Sequence, residues 1–292
     1  MDESVRRAVR RAFDQAAAGY EQSACLQKEV GKRLDEHLDG VKLSPQRILD
    51  AGCGTGLALP LLRARFPEAE LIALDLAEAM LKQVLAGHGG PTGWRGWLSR
   101  LMPPFPGLTA VCADIERMPL APASLDLVWS NLALQWVEIE PTFREVQRVL
   151  RPGGLFLFAT FGPDTLRELR EASMEIDGHA HVNPFIDMHD IGDTLMHAGL
   201  AEPVMEMERL TLTYDRLEDL LRDLRGIGAH TVLENGRRGL MGKDAWRRLQ
   251  DNYERFRRDG RLPATYEVVY GHAWGAERKQ DDGRQVIRWK DR

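Results

Sequence analysis

Cysteine is scarce in this chain. Cys25, Cys53 and Cys112 are the three in 292 residues, and none forms a C-x-x-C pair. Neither a disulfide framework nor a structural zinc site is expected from that usage, and a reducing, cytoplasmic setting is. Apolar runs are short, and no uncharged one reaches the ~20 residues that a bilayer span needs. The opening MDESVRRAVRRAF lacks the apolar core of a secretory leader. Its arginines suit an organelle transit segment, but Asp2, Glu3 and Asp14 do not, so an amphipathic first helix is expected. Charge of one sign is missing too. Lys and Arg number 39 against 44 Asp and Glu, a net −5, which gives no global attraction to nucleic acid. What is present is 43% hydrophobic and 28% charged residues, a globular composition with ample material for a core.

Hydrophobic periodicity organises that material. Residues 4–40 are expected as helix, and RILDA (47–51) as a short buried strand. GLALPLLRARF (56–66) is helical, with Pro60 confined to its first turn. A strand at 70–76 and a helix at 77–87 follow, then strands at 108–114 and 125–131. EPTFREVQRVL (140–150) is a helix, RPGG the turn after it, and LFLFATF (155–161) a strand with both faces covered. DTLRELREA and IDMHDIGDTLMHAGL read as helices, and 203–214 and 264–275 as the last strands. Strand–helix alternation of this kind predicts an α/β fold: a doubly wound, mostly parallel, seven-stranded sheet. The expected organisation is one structural domain. It comprises an N-terminal helical cap (1–44), an α/β core (45–214), a helical lid insertion (215–263), and the last strand with a polar tail (264–292). Residues 88–107, with Trp94 and Trp97, read as an insertion: either a surface loop or a patch that touches a partner or a membrane.

In such a sheet, ligands sit at the carboxyl ends of the strands. The first strand ends at Asp50-Ala51, and Gly52, Gly54 and Gly56 follow as G-x-G-x-G. Glycine there allows conformations and close approach that a side chain blocks. Asp75 ends the second strand, where an acid can accept hydrogen bonds from ribose hydroxyls. Asp114 ends the third beside Ile115, a pair suited to an adenine: the carboxylate takes the exocyclic amine and the apolar side chain packs on the ring. Asn131 ends the fourth. Any one of these is equally a strand or helix cap; all at one sheet edge point to a nucleotide.

The stretches LDAGCGTG, ALDLAEAML, ADIERMPL, SNLALQW and RVLRPGG, over residues 46–161, resemble the successive motifs of the class I S-adenosylmethionine-dependent methyltransferases. The resemblance implies a Rossmann-like fold and S-adenosylmethionine as methyl donor. It places Gly52 and Gly54 against the methionine end, Asp75 on the ribose, and Asp114 with Ile115 on the adenine. The cofactor set it implies is completed by Tyr20, Asp50, Gly56, Leu76, Met80, Asn131 and Leu132. NAD is the rival cofactor, and the three-glycine spacing and the acid–apolar pair speak against it.

Methyl transfer from a sulfonium needs positioning and desolvation more than proton chemistry. No catalytic triad or metal-ligand set appears. His179, His181 and His189 in HAHVNPFIDMHD lack metal-site spacing, and no metal and no general base are expected. AFDQAAAGYEQSACLQKEV, SNLALQWV, LRGIGAHTVLENGR and PATYEVVYG resemble the malonyl-acyl-carrier-protein O-methyltransferase family of biotin synthesis, over most of the chain. That resemblance implies methylation of the free carboxylate of a malonyl thioester on an acidic carrier protein, with Tyr20 closing the site over the cofactor. Residues 216–261 hold twelve Lys and Arg against eight Asp and Glu, so the lid is the basic part of an acidic protein. Arg222, Arg225, Arg237, Arg238, Lys243, Arg247 and Arg248 are the carrier-docking candidates, the alternative being a solvated helical face. Gly226, Gly228, Ala229 and His230 fall on the expected substrate side. A monomer is expected. FGPDTLRELREA and HVNPFIDMHDIGDTL also resemble the mitochondrial complex I assembly proteins, which keeps a hydroxylase or assembly factor open beside a small-molecule carboxyl methyltransferase.

Overall fold

A seven-stranded sheet in the order β3-β2-β1-β4-β5-β7-β6 carries the molecule. Its strands are β1 (Arg47–Ala51), β2 (Glu70–Asp75), β3 (Leu108–Cys112), β4 (Leu125–Asn131), β5 (Leu150–Phe161), β6 (Leu200–Tyr214) and β7 (Leu262–Gly275). The structure, a computed structural model, describes residues 2–88, 107–177, 182–228 and 242–276. Strands β1 to β5 run parallel, and β7 is antiparallel to both β5 and β6. Strand order reverses between β1 and β4, so the crevice in which this architecture binds ligands opens at their carboxyl ends.

Alternate residues of the central strands serve two cores. Leu155 and Leu157 join Ile48, Leu127 and Trp129 on one face, under helices α3 (Cys25–Glu36) and α4 (Leu59–Arg65). Phe156 and Phe158 join Leu49 and Val128 on the other, under Phe143 and Val146 of α6 (Ile139–Val149) and Ile191 and Leu195 of α8 (Met188–His197). Both faces are covered, which is why these strands read as continuous apolar runs. Between β2 and β3 lies α5 (Glu78–His88), and α7 (Arg167–Asp177) follows β5.

Local departures from the sequence expectation have packing causes. The helix expected over 4–40 is three: α1 (Glu3–Ala16), α2 (Tyr20–Ser23) and α3. Helix α1 packs on α5, whereas α3 packs on β4 and β5, and one straight rod cannot serve both. RPGG is no turn. Leu150 pairs directly with Leu125, a register shift between Leu125 and Leu127 takes up the slack, and Gly153 at φ +75 lies inside β5. β3 stops at Cys112; Asp114 is the N-cap of a single 3-10 turn, Ile115–Arg117. The lid insertion is helical as expected where described, in α9 (Leu217–Gly226) and α10 (Lys243–Glu254). Trp94 and Trp97 lie outside the described residues. Among the described residues no helix is long and apolar enough to cross a membrane.

The antiparallel edge is closely packed at one glycine. A Cβ on Gly271 of β7 would fall 2.3 Å from Phe158 Cζ on β5 and 2.8 Å from Met205 Sδ on β6. Gly271→Ala is expected to destabilise the protein by about 1–3 kcal/mol through overpacking. A lower urea midpoint at unchanged slope is the result that agrees; an unchanged midpoint does not.

Candidate functional site

The glycine loop is tied to β2 before it is tied to anything else. The Gly52 and Cys53 amides both donate to the Leu74 carbonyl, at 2.8 and 3.0 Å. Asp75 then holds the next turn, accepting from the Gly54 amide on Oδ2 at 2.9 Å and from the Ala77 amide on Oδ1 at 2.8 Å. Gly52 and Gly54 have φ +75 and +53, the region where residues with a Cβ are disfavoured. Space enforces the same choice at Gly52, where a Cβ would lie 2.3 Å from that of Ala133. Leu132, which follows β4, also takes a left-handed conformation, φ +52, anchored by its amide on the Ala159 carbonyl at 2.9 Å. For a residue with a Cβ that conformation costs about 1–2 kcal/mol, and such strain collects at functional sites.

These turns surround a cleft of about 630 Å³. Gly52, Gly54, Asp75, Leu76 and Ile115 line one side together with Asp114, Asn131 and Leu132. Val9, Phe13 and Tyr20, from the N-terminal helices, line the other, with Trp136 beside them. The ring of Tyr20 lies over the loop, 3.8 Å from where a Cβ on Gly54 would sit. Phe13 and Trp136 meet edge to face with centroids 5.4 Å apart.

Three residues expected in the cofactor set do not line the cleft. Met80 is fully buried behind it, packed with Ala17 and Ala77. Gly56 turns the chain into α4, and a Cβ there would meet Leu59 at 2.9 Å. Asp50 lies beneath the loop, 2% exposed. Asp114 lines the cleft, but not as the free strand-end acid expected. It sits past β3, takes the Glu116 amide on Oδ1 at 2.9 Å, and pairs through Oδ2 with Arg6 Nε at 2.6 Å. Val9, Phe13 and Trp136 are lining residues that sequence reasoning missed. The signal for Phe13 was the apolar stripe of an amphipathic first helix, and Trp136 stood in a motif read for its other members.

Burial dominates the electrostatics. Asp75 is pushed up to about 6 by burial, offset by the Ala77 and Gly54 amides. Asp50 is pushed up to about 8 by burial and then by the Asp75 charge. Burial, then the same charge, holds the Tyr20 phenol well above its usual range, so it is neutral. Asp50 Oδ2 and Asn131 Oδ1 are buried acceptors with no hydrogen-bond partner among the described residues. Two orphaned acceptors beside a glycine cradle fit a ligand that brings a donor, best a cationic one.

A second cavity of about 530 Å³ shares Trp136 with the first. It is mostly apolar, walled by Phe161, Leu166 and Tyr266 and roofed by Leu224 and Ile227 of the lid, with Gln135 and Asn183 as polar lining. The lid rests on the N-terminal helices. A Cβ on Gly226 would fall 2.2 Å from Ser23 Oγ, and one on Gly228 (φ +72) 3.1 Å from the Phe13 ring. Gly228 is thus packed against a residue of the cleft wall, whereas the described basic docking candidates are on the lid's outer surface. Arg222, Arg225, Lys243, Arg247 and Arg248 are exposed on α9 and α10. Arg222 pairs with Asp219 at 2.7 Å and Arg247 with Asp244 at 3.9 Å. Ala229, His230, Arg237 and Arg238 lie outside the described residues, as do His179 and His181. His189 is exposed against Asp187, and no metal-binding cluster occurs among the described residues.

Comparison with known proteins adds identity to this geometry. The model of a family described as a methyltransferase domain matches residues 49–158. The chain is 53% identical over 289 residues to a malonyl-[acyl-carrier protein] O-methyltransferase of Laribacter hongkongensis, covering 96% of this chain and 94% of that one. A protein of the same name from Methylovorus sp. is 50% identical, at 97% and 94% coverage. One from Legionella pneumophila is 40% identical, at 96% and 95%. Among solved structures, the YcgJ protein of Bacillus subtilis superposes with a TM-score of 0.56 at 14% identity, covering 84% of this chain and 98% of that one, a likeness of fold alone.

Because Asp50 and Asp75 are held above the ordinary carboxylate range of about 4, the fold binds more protons than the unfolded chain across that interval. Their protonated forms favour the fold in full below pH ~4, and that contribution is lost as pH rises through about 6 for Asp75 and about 8 for Asp50. Stability of the ligand-free protein is expected to fall over this window, and Asp50→Asn to flatten the fall between pH 6 and 8. Urea titrations at several pH values measure both; a variant with the wild-type slope contradicts the assignment.

Proposed function

The chain belongs to the malonyl-[acyl-carrier protein] O-methyltransferases, and from that premise we propose what its two cavities hold. The strand-end cleft takes S-adenosylmethionine. The lid-roofed cavity takes the malonyl thioester presented by an acyl-carrier protein, whose free carboxylate becomes the methyl ester. One observation carries this reading: a glycine-walled cleft lined by Asp75 and Asp114 shares Trp136 as a wall with a second, mostly apolar cavity.

When bound, the cofactor supplies an electrophilic methyl group on a positively charged sulfur. This chain's residues bind and orient. Asp75 keeps lone pairs for the ribose hydroxyls beside its two amide donors. Asp114 accepts the adenine amine and Ile115 packs on the ring. Gly52 and Gly54 admit the methionine end, toward the buried oxygens of Asp50 and Asn131. A cationic amino group there favours ionised Asp50. Tyr20, neutral and laid over the loop, excludes water. The acceptor needs no base, because a malonyl carboxylate is already ionised at neutral pH. Its desolvation in the apolar cavity raises its reactivity toward the methyl group.

An acidic carrier calls for a basic face. With Arg222 and Arg247 engaged by neighbouring acids, Arg225, Lys243 and Arg248 are the stronger docking candidates; none makes an ion pair among the described residues. The relatives' shared name favours a carrier-bound acceptor over a free acid and over a hydroxylase or assembly role. The resemblance carried by the sequence motifs implies a place early in biotin synthesis, where a methyl ester masks the malonyl charge.

Labelled methyl groups from S-adenosylmethionine are expected on malonyl-carrier protein and not on acetyl-carrier protein; equal labelling of both would sink the proposal. Asp75→Ala is expected to weaken S-adenosylhomocysteine binding by about 1.5–3 kcal/mol, the worth of hydrogen bonds to a charged acceptor. Calorimetry reads that loss, and unchanged affinity refutes the ribose assignment.

A further inference from the structure

Helix α1 reaches the adenine end of the cleft through one side chain. Arg6 Nε lies 2.6 Å from Asp114 Oδ2, its Nη2 lies 2.8 Å from Glu116 Oε2, and its Nη1 lies 3.1 Å from Glu3 Oε2. The Arg6 side chain is only 21% exposed and that of Glu116 6%. Glu116 has its own anchor, accepting the Glu138 amide on Oε1 at 3.0 Å. Glu116 is therefore fixed, and Arg6 spans from it to Asp114. The Asp114 carboxylate is then engaged at both oxygens: the Glu116 amide donates a hydrogen bond to Oδ1, while Arg6 forms an ion pair with Oδ2 in which its Nε–H is not aligned as a hydrogen bond.

We infer that Arg6 is a positioning residue for cofactor recognition: it orients Asp114 toward the adenine amine and makes α1 a working wall of the cofactor site. The inference rests on the assignment of Asp114 to adenine made above. The rigid, forked geometry of arginine suits the task, since one planar group bridges two carboxylates. Two acids side by side would otherwise repel, and the Asp114 carboxylate would turn toward water. Glu116 and Glu138 fix the far end of the bridge, so only the near end is left for ligand. The same helix supplies Val9 and Phe13 to the cleft, and a bound adenine would complete a contact that Arg6 has prepared.

A double-mutant cycle separates this role from mere docking of α1. Calorimetry with S-adenosylhomocysteine is run on the full chain as wild type, Arg6→Ala, Asp114→Ala and the double variant. Each single change is expected to weaken binding about tenfold, and the double variant to lie within about threefold of Asp114→Ala, because coupled residues are not additive. A double variant near the product of the two losses, about a hundredfold, overturns the inference, as does an unchanged Arg6→Ala. If Asp114→Ala alone leaves affinity unchanged, the adenine assignment fails instead, which is a different outcome. Should Arg6→Ala not fold, Arg6→Lys goes through the same cycle: it keeps the charge but not the fork, and a smaller, still non-additive loss is expected.

Discussion

Two amides on one half-buried carboxylate hold this site together. Asp75 ends β2 and accepts from both Gly54 and Ala77, so the same side chain shapes the glycine loop and begins α5. Burial opposes its charge, and the amides oppose burial. The loop itself, with Gly52 against Ala133 and Leu132 in a left-handed turn, has no room to rearrange independently of that carboxylate. These constraints are the basis on which the cleft is proposed to take a ligand with a hydroxyl-bearing middle and a donor at its far end.

The α/β core supplies only half of the enclosure. Phe13 and Tyr20 come from helices that precede the sheet, and the second cavity is roofed by a lid helix inserted between its last two strands. The two additions touch through Gly226 on Ser23, where a Cβ would collide, and Gly228 on Phe13, where one would be tightly packed. The covers of the two cavities are thus in direct contact. Trp136, edge to face with Phe13, stands where the two cavities meet. This arrangement suits a displacement that needs dryness and alignment and no proton transfer.

Much of this was legible from residue order alone. Short apolar runs alternating with helical stretches located the strands, and Gly52, Gly54, Asp75, Asp114 and Asn131, read at one sheet edge, do line one cleft. The misses share a physical reason: each depends on partners far away in sequence. The break between α1 and α3 falls in an alanine-rich stretch with only Gly19 to mark it, and arises because the two helices pack on different elements. The pairing of Arg6 with Asp114 spans more than a hundred residues and leaves no local signature. Met80 and Gly56 fit the family pattern by position, yet their directions are set by packing against Ala17 and Leu59. Asp50 lies beneath the loop, 2% exposed, and not on the cleft wall, a depth that residue order does not reveal. The acceptor was legible only by resemblance, since the lid that roofs its cavity has no motif chemistry of its own.

The central claim is that the N-terminal helices and the strand-end turns form one cofactor seat. Hydrogen exchange of the full chain with and without S-adenosylhomocysteine tests it directly. The account predicts that ligand slows exchange both in residues 50–56 and 75–77 and, to a comparable extent, in residues 6–23. Slowing confined to the glycine loop and strand ends, with residues 6–23 exchanging as in the free protein, would contradict it.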